Sequence, residues 1–575
     1  MSVRSQQAPS TPTLQTAVQL VVEDVVVTDR AGRPVNGLQQ GDFSVRENGA
    51  PQTLRGFDEH VGGREVTGRK PPLPAGTFTN VPAVEGVANV LLLDGMNTPP
   101  EAQPYLRDQL VRFLARERPG TRTAIFTLNQ SLKLLQSFTA DPDLLKRVVK
   151  LQGVQFSPLL NRELNDTAAH HESETISDLI EQSGSAAQIA SLEQMQQTLL
   201  DMEARRASQQ TQIRARITME ALEQLARYLA GVPGRKNVMW FSGSFPVSIM
   251  REVQTTGDPF AGQADLSAEL RRTVNLLAAN RVAVYPIDAR GLEPPPSQGA
   301  DENGAIGNRQ RTQRTYGSTA PNPRDSQFYL DQAMEHGTMQ DLARGTGGEA
   351  FYNTNGLVQA TERAAADRSN YYTLQYTPPP GSMPGALRTI DVKVNRPGLN
   401  LSYRRNYYTA APHDGEAAAS PIPAAARYSA PDASELAFQL QASAVSSAPP
   451  EKTIGLKAAG GSSSLYQLDV LLPVNALSIS LGGDGKHHAT LEYATVLYDR
   501  KGAILDSHQD RAALALDEAR YQSMMQGGGL RFHHTVALAA NSTGSVRVLV
   551  RDVSTNRIGS LRLADAEVRQ AATKP

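Results

Sequence analysis

Asn89-Val-Leu-Leu-Leu-Asp-Gly-Met-Asn-Thr98 is the stretch of this 575-residue chain that decides its fold. Its apolar run, residues 90–93, is unbroken and ends on a carboxylate, Asp94, which small and polar residues follow. A continuous apolar run between turn residues predicts a strand buried on both faces of a parallel sheet. Ligands of such sheets collect beyond the carboxyl ends of the strands, where the strand order reverses. The residues from Asp94 onward are therefore the first place to look for a functional site.

Strand and helix patterns alternate around this stretch, which predicts an α/β domain over residues 85–370 with a doubly wound, mostly parallel sheet. Further strands are predicted at residues 122–128, 133–138, 237–241, 281–287 and 349–352. Residues 157–230 form an insertion that ends in a long helix. Its narrow apolar stripe favours an arm packed on one side of the domain over a coiled-coil dimer, because sustained heptads are missing.

Alternation of period two marks β regions on both sides of the α/β domain. Residues 18–60 predict an N-terminal β unit, and residues 371–410 predict a strand meander that packs with it, because neither set is large enough to be stable alone. Residues 411–433 are rich in Ala, Pro and Ser and predict a linker. Residues 434–568 predict a separate antiparallel β-sandwich, and the polar residues 1–17 predict a disordered N-terminus.

The composition excludes several classes of function. The chain has 57 basic and 58 acidic residues and a net charge of -1, so no overall charge attracts it to nucleic acid or to an anionic membrane. It has no cysteine, which excludes disulfides and a thiol nucleophile. No apolar run approaches the roughly 18 residues of a membrane span. The polar N-terminus lacks the apolar core of a signal peptide. We expect a cytoplasmic protein or, preferably, a secreted or periplasmic one whose leader has been removed.

Three segments of the α/β region together resemble a von Willebrand factor A (VWA) domain. They are Leu92-Leu-Asp-Gly-Met-Asn-Thr98, Trp240-Phe-Ser-Gly-Ser244 and Leu342-Ala-Arg-Gly-Thr-Gly-Gly348. Others are similar to the VWA-related proteins abundant in Acidobacteria, namely Val27-Thr-Asp-Arg-Ala-Gly-Arg-Pro-Val-Asn-Gly-Leu38 with Asp42-Phe43, Pro233-Gly-Arg-Lys-Asn-Val-Met-Trp-Phe-Ser242 and Tyr285-Pro-Ile-Asp-Ala-Arg-Gly291. The resemblance covers residues 18–409, and the order and spacing of these segments are more specific than any one of them.

The resemblance implies a binding or adhesion module that is commonly exported, has no catalytic activity and takes a protein or cell-surface ligand. Many A domains hold Mg²⁺ or Mn²⁺ at a site formed by Asp-x-Ser-x-Ser, a distant Thr and a distant Asp. Asp94 and Thr98 match two of these positions. Met96 occupies the first Ser position, where its thioether is a poor ligand for a hard cation. Ser242 stands where the resemblance places the distant Asp.

The candidate site is therefore a degenerate metal-ion-dependent adhesion site. Its other oxygen donors are predicted to be Asn97 and Asp288, with Thr218 and Ser244 as possible additions. Because Mg²⁺ needs hard, charged ligands and only Asp94 is securely placed, any Mg²⁺ or Mn²⁺ is expected to bind weakly and to keep much of its water. The alternative is that Asp94 caps the following turn and that the nearby hydroxyl groups bond to the backbone.

A hydrolase that uses a crevice between Asp94, Ser242 and Asp288 is the competing hypothesis. The sequence around the serine, Ser242-Gly-Ser-Phe245, is not a Gly-x-Ser-x-Gly elbow, and no histidine is linked to it by pattern. The residues therefore favour a binding module over an enzyme.

Two further signals favour solvated loops over sites. His170-His171-Glu172 would suggest zinc, but adjacent histidines point in different directions and no third ligand is evident. The basic run of Arg309, Arg311 and Arg314 has no interleaved aromatic residues, so it does not predict nucleic-acid binding.

Overall fold

The computed structural model describes most of the chain, in segments separated by short gaps. The described residues are 20–61, 73–74, 76–82, 88–117, 120–151, 176, 179–180, 185–245, 266–293, 295, 323–366, 370–379, 386–409, 420–447, 453–459, 463–526 and 528–573. The predictions for residues 1–17, for His170-His171-Glu172 and for the arginines at 309, 311 and 314 fall outside these residues. Within them, the chain is a mixed α/β protein with several sheets, some of them parallel.

The strands of the described residues are numbered in chain order. They are β1 Val21–Thr28, β2 Phe43–Glu47, β3 Ala50–Gln52, β4 Leu54–His60, β5 Thr77–Thr79, β6 Ala88–Asp94, β7 Arg122–Leu128, β8 Leu132–Thr139, β9 Lys236–Ser242, β10 Val282–Asp288, β11 Tyr371–Tyr376, β12 Leu387–Val394, β13 Asn400–Ser402, β14 Asn406–Tyr408, β15 Gln439–Val445, β16 Thr453–Ile454, β17 Ser463–Leu472, β18 Ser480–Leu481, β19 His487–Tyr498, β20 Ile504–Leu516, β21 Leu530–Ala539, β22 Ser545–Asp552 and β23 Ile558–Ala564.

The α-helices are numbered in the same way. They are α1 Gln103–Arg116, α2 Pro142–Leu151, α3 Ala186–Leu229, α4 Ser267–Ala279, α5 Pro323–Thr346, α6 Leu357–Ala366, α7 Ile422–Ala425, α8 Leu456–Ala459, α9 Glu518–Gln526 and α10 Asp565–Ala572. Short 3₁₀ helices lie at Gln40–Asp42, Pro100–Ala102 and Val474–Ala476. None of the helices within the described ranges is both long enough and apolar enough to cross a membrane.

The strand that contains the opening stretch, β6, is the middle strand of a five-stranded sheet. The strand order is β10-β9-β6-β7-β8, and only the β7–β8 pair is antiparallel. Leu92 lies between Phe126 of β7 and Trp240 of β9. The chain adds β7 and β8 on one side of β6 and then crosses to β9 on the other side. The strand order therefore reverses beside β6, where open parallel sheets place their ligands.

Helices cover both faces of this sheet. Successive side chains of β6 point to opposite faces, so the strand contributes to two cores. Val90 and Leu92 lie in a core with residues of α3, α4 and α5. Leu91 and Leu93 lie in a second core with residues of α1, α2 and α6. All four side chains are at most 1% exposed. This double burial explains the unbroken apolar run in the sequence.

The sixth strand predicted at residues 349–352 is reduced to a single parallel bridge between Ile287 and Phe351. Phe351 donates its N–H to the Pro286 carbonyl and accepts the N–H of Asp288, both at 2.8 Å. The chain then turns away, because Asn353 has a positive φ of 52°. A strand cannot continue through a residue in that left-handed conformation.

The N-terminal β unit and the strands after residue 370 share two sheets. β1 pairs with β11 and β13, while β2 pairs with β12, and the sheet orders are β13-β1-β11-β4 and β14-β12-β2-β3. Their facing side chains form one apolar core. The buried carboxylate of Asp24 accepts hydrogen bonds of 2.6 and 2.9 Å from Arg281, which precedes β10. This ion pair fixes the β unit to the α/β domain.

The C-terminal region contains two five-stranded groups that bury one common core. One sheet has the order β16-β21-β17-β15-β5, and the other has the order β18-β19-β22-β23 with β20 on β19. Side chains of both groups line the core, among them Leu468 and Val548. The edge strand β5 comes from residues that precede the α/β domain, in a stretch for which the sequence pattern predicted no strand.

The predicted linker over residues 411–433 requires correction from residue 420 onward. Ile422 and Ala433 are buried against the C-terminal sheets. The guanidinium of Arg547, which is 1% exposed, donates to the backbone carbonyls of Ala425, Arg427 and Ala430. This segment packs because its small side chains fit closely and a buried cation needs several acceptors.

The end of α3 attaches the C-terminal region to the α/β domain. Arg227 forms an ion pair of 2.6 Å with Glu435, and both side chains are largely buried. The Ser434 hydroxyl accepts the N–H of Gly231 at 2.8 Å and donates to the Tyr228 carbonyl at 2.6 Å. These contacts cap the last turn of α3, where helix carbonyls lack partners within the helix.

Candidate functional site

Six of the seven predicted site residues gather at the carboxyl ends of β6 and β9. Asp94 ends β6 and Ser242 ends β9, while Asn97 and Thr98 lie on the turn after β6. Thr218 comes from α3, and Ser244 follows β9. The first four and Thr218 are at most 1% exposed. The cluster therefore lies inside the protein and does not line an open crevice.

The Asp94 carboxylate accepts five hydrogen bonds. Its Oδ1 accepts the backbone N–H groups of Met96 at 3.1 Å and of Asn97 at 3.0 Å. Its Oδ2 accepts the Asn97 amide at 2.8 Å, the Ser242 hydroxyl at 2.9 Å and the Trp240 indole N–H at 3.1 Å. A carboxylate offers about four lone-pair positions, so protein donors saturate this one.

The other polar atoms of the cluster mostly bond to one another. Asn97 reaches the Thr218 hydroxyl at 3.1 Å, and the Thr98 hydroxyl accepts the N–H of Gly243 at 3.1 Å. The Ser242 hydroxyl lies 2.6 Å from the Ser244 carbonyl. Among the side-chain oxygens of Asp94, Asn97, Thr98, Thr218 and Ser242, the buried Oδ1 of Asn97 is the one without a hydrogen-bond partner within the described residues. The network fixes the turn after β6 against β9 and α3.

Burial dominates the electrostatics of Asp94. Removal from water raises the pKa of its carboxyl group, while the hydrogen bonds from Asn97, Ser242 and Trp240 act in the opposite direction. The side chains that donate these hydrogen bonds are all uncharged. Asp94 is thus held by neutral donors.

Asp288 belongs to a neighbouring cluster that is neutralised by an arginine. Arg290 donates to its two oxygens at 3.1 and 2.9 Å, and His336 Nε2 lies 3.8 Å away. Burial disfavours the charged form of Asp288, but His336 and Arg290 outweigh it and lower the pKa. Glu335 links the clusters, because it accepts Arg290 and the Ser244 hydroxyl, each at 2.8 Å.

The sequence pattern alone did not reveal the donors that decide this geometry. Trp240 precedes Ser242 by two residues, so strand alternation places both side chains on one face. The sequence could therefore have predicted that Trp240 lies beside Ser242. Glu335 and Arg290 carried no such signal. They meet only because α5 packs beside the end of β10.

This set of residues does not fit a divalent cation. Mg²⁺ and Mn²⁺ need several oxygen ligands with free lone pairs, and Mg²⁺ usually keeps several waters. The Asp94 oxygens already face N–H and O–H donors, and Met96 is buried in the apolar core. In the described part of the chain, no group of three or more His, Asp or Glu side chains is arranged to hold a metal.

The arrangement does not suit hydrolysis either. A serine nucleophile needs a base in hydrogen-bond reach and a path to substrate. Ser242 is 0% exposed, and its single hydroxyl hydrogen is shared between the Asp94 carboxylate and the Ser244 carbonyl. The histidine of the neighbouring cluster, His336, stacks on Tyr352 with ring centroids 4.0 Å apart and faces Asp288.

Comparisons with known proteins give similarity to solved structures only. No protein-family model matches the sequence, and no curated protein matches it. A von Willebrand factor type A structure from Catenulispora acidiphila is 9% identical, with 63% of this chain and 75% of that one covered and a TM-score of 0.24. An aerotolerance-related membrane protein from Bacteroides fragilis is 10% identical, with 49% and 98% covered and a TM-score of 0.24.

The pilus adhesin SpaC from Lactobacillus rhamnosus GG is also similar, at 8% identity and a TM-score of 0.23, with 88% of this chain and 57% of that one covered. All of these TM-scores are below 0.5.

Neither Mg²⁺ nor Mn²⁺ is expected to raise the melting temperature of the α/β domain, because Asp94 has no free lone pair to offer. A cation at a hundred times its Kd would add about 2.7 kcal/mol to the free energy of unfolding. The measurement is a thermal melt in EDTA, Mg²⁺ and Mn²⁺, followed by the fluorescence of Trp240, the single tryptophan. A metal-dependent rise that disappears in Asp94→Ala would instead establish a working cation site.

Proposed function

We propose that this chain is a non-catalytic protein-interaction or adhesion module of VWA type, with a doubly wound sheet and a degenerate metal site. One observation carries the proposal: the carboxyl edge of the sheet, where such domains bind, is closed by the saturated and buried Asp94. An edge closed in this way supplies neither a catalytic group nor a cation for a ligand. The partner is therefore a macromolecule that binds another surface of the chain.

The long helix α3 offers that surface. Its 44 residues span about 66 Å at 1.5 Å per residue. Residues 214–229 pack on the sheet, whereas the part that precedes them carries exposed apolar side chains. Met195, Met202 and Ile213 are 56%, 52% and 48% exposed. Spacings of 7 and 18 residues place them within roughly 20° of one helix face.

Methionines on one helix face suit a protein partner with an apolar groove, because the flexible thioether side chain adapts to irregular surfaces. We place the partner contact on this face of α3. The C-terminal region, taken as a β-sandwich, then acts as a spacer or a second binding surface. A location outside the cytoplasm, after removal of a leader, is part of the same proposal.

The test is a pull-down from the secreted and surface proteins of its own organism. Wild type is compared with the double variant Met195→Glu, Met202→Glu and with a control, Leu481→Glu, Met525→Glu, whose positions are 59% and 47% exposed. A partner retained by wild type and control but lost by the α3 variant supports the proposal. Equal capture by all three proteins, or no capture, contradicts it. Hydrolytic activity abolished by both Asp94→Ala and Ser242→Ala would overturn the non-catalytic assignment.

A further inference from the structure

A recess lies beside β10, where Gly348 of its lining packs against Val284. It has a volume of about 610 Å³ and lies between the N-terminal β unit and the last turn of α5. Arg30, Arg344, Arg363 and Arg405 line it, with Glu349 as the one acidic residue of the lining. Positive charges in the lining therefore exceed negative ones by three. A recess of this size and charge suits an anionic ligand.

Arg30 and Arg405 have no carboxylate partner among the described residues, and Arg344 interacts only at longer range with Asp341, three residues before it on α5. Glu349 is occupied by Arg363 at 2.7 Å. Arg344 donates to the Gln340 amide oxygen at 3.2 Å, and the Arg405 guanidinium lies 5.3 Å from the centre of the Tyr403 ring. No ion pair is formed by Arg30, Arg344 or Arg405 in the described part of the chain.

Nearby arginines of the same region are paired. Arg404 binds Glu23 at 3.1 Å, and Arg281 binds Asp24 at 2.6 Å. The contrast is informative, because guanidinium groups that only stabilise a fold usually find a carboxylate or several carbonyls. The cations of the recess are left available to a ligand from outside.

The walls of the recess are fixed before any ligand arrives. The turn that carries Arg30 is closed by Asp29, whose Oδ1 accepts the N–H groups of Ala31 at 2.8 Å and of Arg33 at 2.9 Å. The other wall is tied together by the backbone, since the N–H of Arg405 donates to the Arg344 carbonyl at 3.0 Å. A preformed site spends little binding free energy on ordering its own side of the contact.

A smaller recess of about 330 Å³ adjoins the first, and Glu349 and Arg363 belong to both linings. Phe351 and Tyr352 line this second space. The pair of recesses therefore combines guanidinium groups with two aromatic side chains, of which Phe351 is 7% exposed and lies under Arg363. A peptide that carries carboxylates next to an apolar side chain matches both parts.

We propose that this recess binds an acidic peptide segment of a partner protein, with its carboxylates on Arg30, Arg344 and Arg405. The inference rests on the proposed function in taking the ligand to be part of a protein. It differs from the α3 contact in place and in chemistry. Ligands of this recess share one chemical group, a planar oxyanion that accepts paired guanidinium N–H groups.

The test measures binding of the fluorescent peptide Glu-Glu-Phe-Glu-Glu by polarisation at low salt, with the full chain. Saturable binding is expected, and Arg344→Glu, Arg405→Glu should weaken it by about tenfold or more, because two charge-assisted contacts become repulsive. The control is Arg500→Glu, Arg520→Glu, which makes the same charge change on exposed residues of the C-terminal region. The single variant Arg30→Ala, on an exposed turn, gives an independent reading should the double variant not fold.

Equal weakening in both double variants would overturn the proposal, because it would show attraction to overall charge. Binding that is unchanged by Arg344→Glu, Arg405→Glu and by Arg30→Ala would overturn it as well. So would full displacement of the peptide by millimolar inorganic phosphate, since the site would then recognise a small anion. Met195→Glu, Met202→Glu should leave peptide binding unchanged, so that failure of the α3 proposal and failure of this one are distinguishable.

Discussion

Gly348→Ala is expected to leave little folded protein. A Cβ atom at this position would lie 1.9 Å from the carbonyl oxygen of Val284 and 2.7 Å from its carbonyl carbon. Both are backbone atoms of β10, which is paired with β9 along its whole length. The strand cannot retreat without loss of that pairing. We expect the free energy of unfolding of the α/β domain to fall by about 4 kcal/mol or more.

The measurement for Gly348→Ala is a urea titration followed by Trp240 fluorescence. Gly483→Ala is the matched control, because a Cβ there meets no atom within 4 Å and the backbone angle is ordinary. The control should lie within about 0.5 kcal/mol of wild type. A Gly348→Ala protein as stable as the control would show that the chain before residue 351 lies farther from β10.

Asp94→Ala is expected to lower the free energy of unfolding by about 3 kcal/mol, since it leaves buried donors without an acceptor. Ser242 keeps the Ser244 carbonyl, and Met96 keeps the Leu128 carbonyl at 3.0 Å. The indole N–H of Trp240 and the backbone N–H of Asn97 lose their acceptor. Relief from burying a charge offsets part of the loss, which keeps the effect below the sum of the broken bonds.

Two readouts test Asp94→Ala. Urea titration gives the free energy of unfolding, and the emission maximum of Trp240 in the folded state reports loss of its hydrogen bond. Asp391→Ala is the control, because the Asp391 side chain is 51% exposed and the variant loses only an ion pair of 3.7 Å with Lys393. Its effect should stay within about 1 kcal/mol. Equal stability of the two variants would mean that Asp94 is not the acceptor on which this turn depends.

The position of Asp94 could be predicted from the sequence, and its partners could not. An apolar run that ends on a carboxylate places the residue at the end of a central strand by local pattern alone. Thr218 and Trp240 lie 121 and 146 residues from their hydrogen-bond partners at this turn. Whether such side chains meet depends on how helices pack on the sheet, which no local pattern records. The saturation of the carboxylate was therefore invisible at the level of sequence.

Two segments, β5 and residues 420–433, were not predicted to belong to the folded structure, for a related reason. β5 has three residues, too few to show a period of two. Residues 420–433 have the composition of a linker, and the side chain that holds them, Arg547, lies 120 residues beyond its acceptor Arg427. Composition predicts the structure of a segment in isolation, and it does not include contacts with residues that are distant in the sequence.

The pairing of β5 with β15 fixes the order in which the chain can be completed during synthesis. Thr79 and Phe438 share a hydrogen bond although they are 359 residues apart, and β1 likewise waits for β11. The β regions need strands from both sides of the α/β domain in the sequence. During synthesis the α/β domain can therefore fold first, and the C-terminal sheets can fold last. At ribosomal rates the early strands stay unpaired for roughly 20–70 s. The apolar strand β1 is then exposed on the nascent chain until β11 has been made.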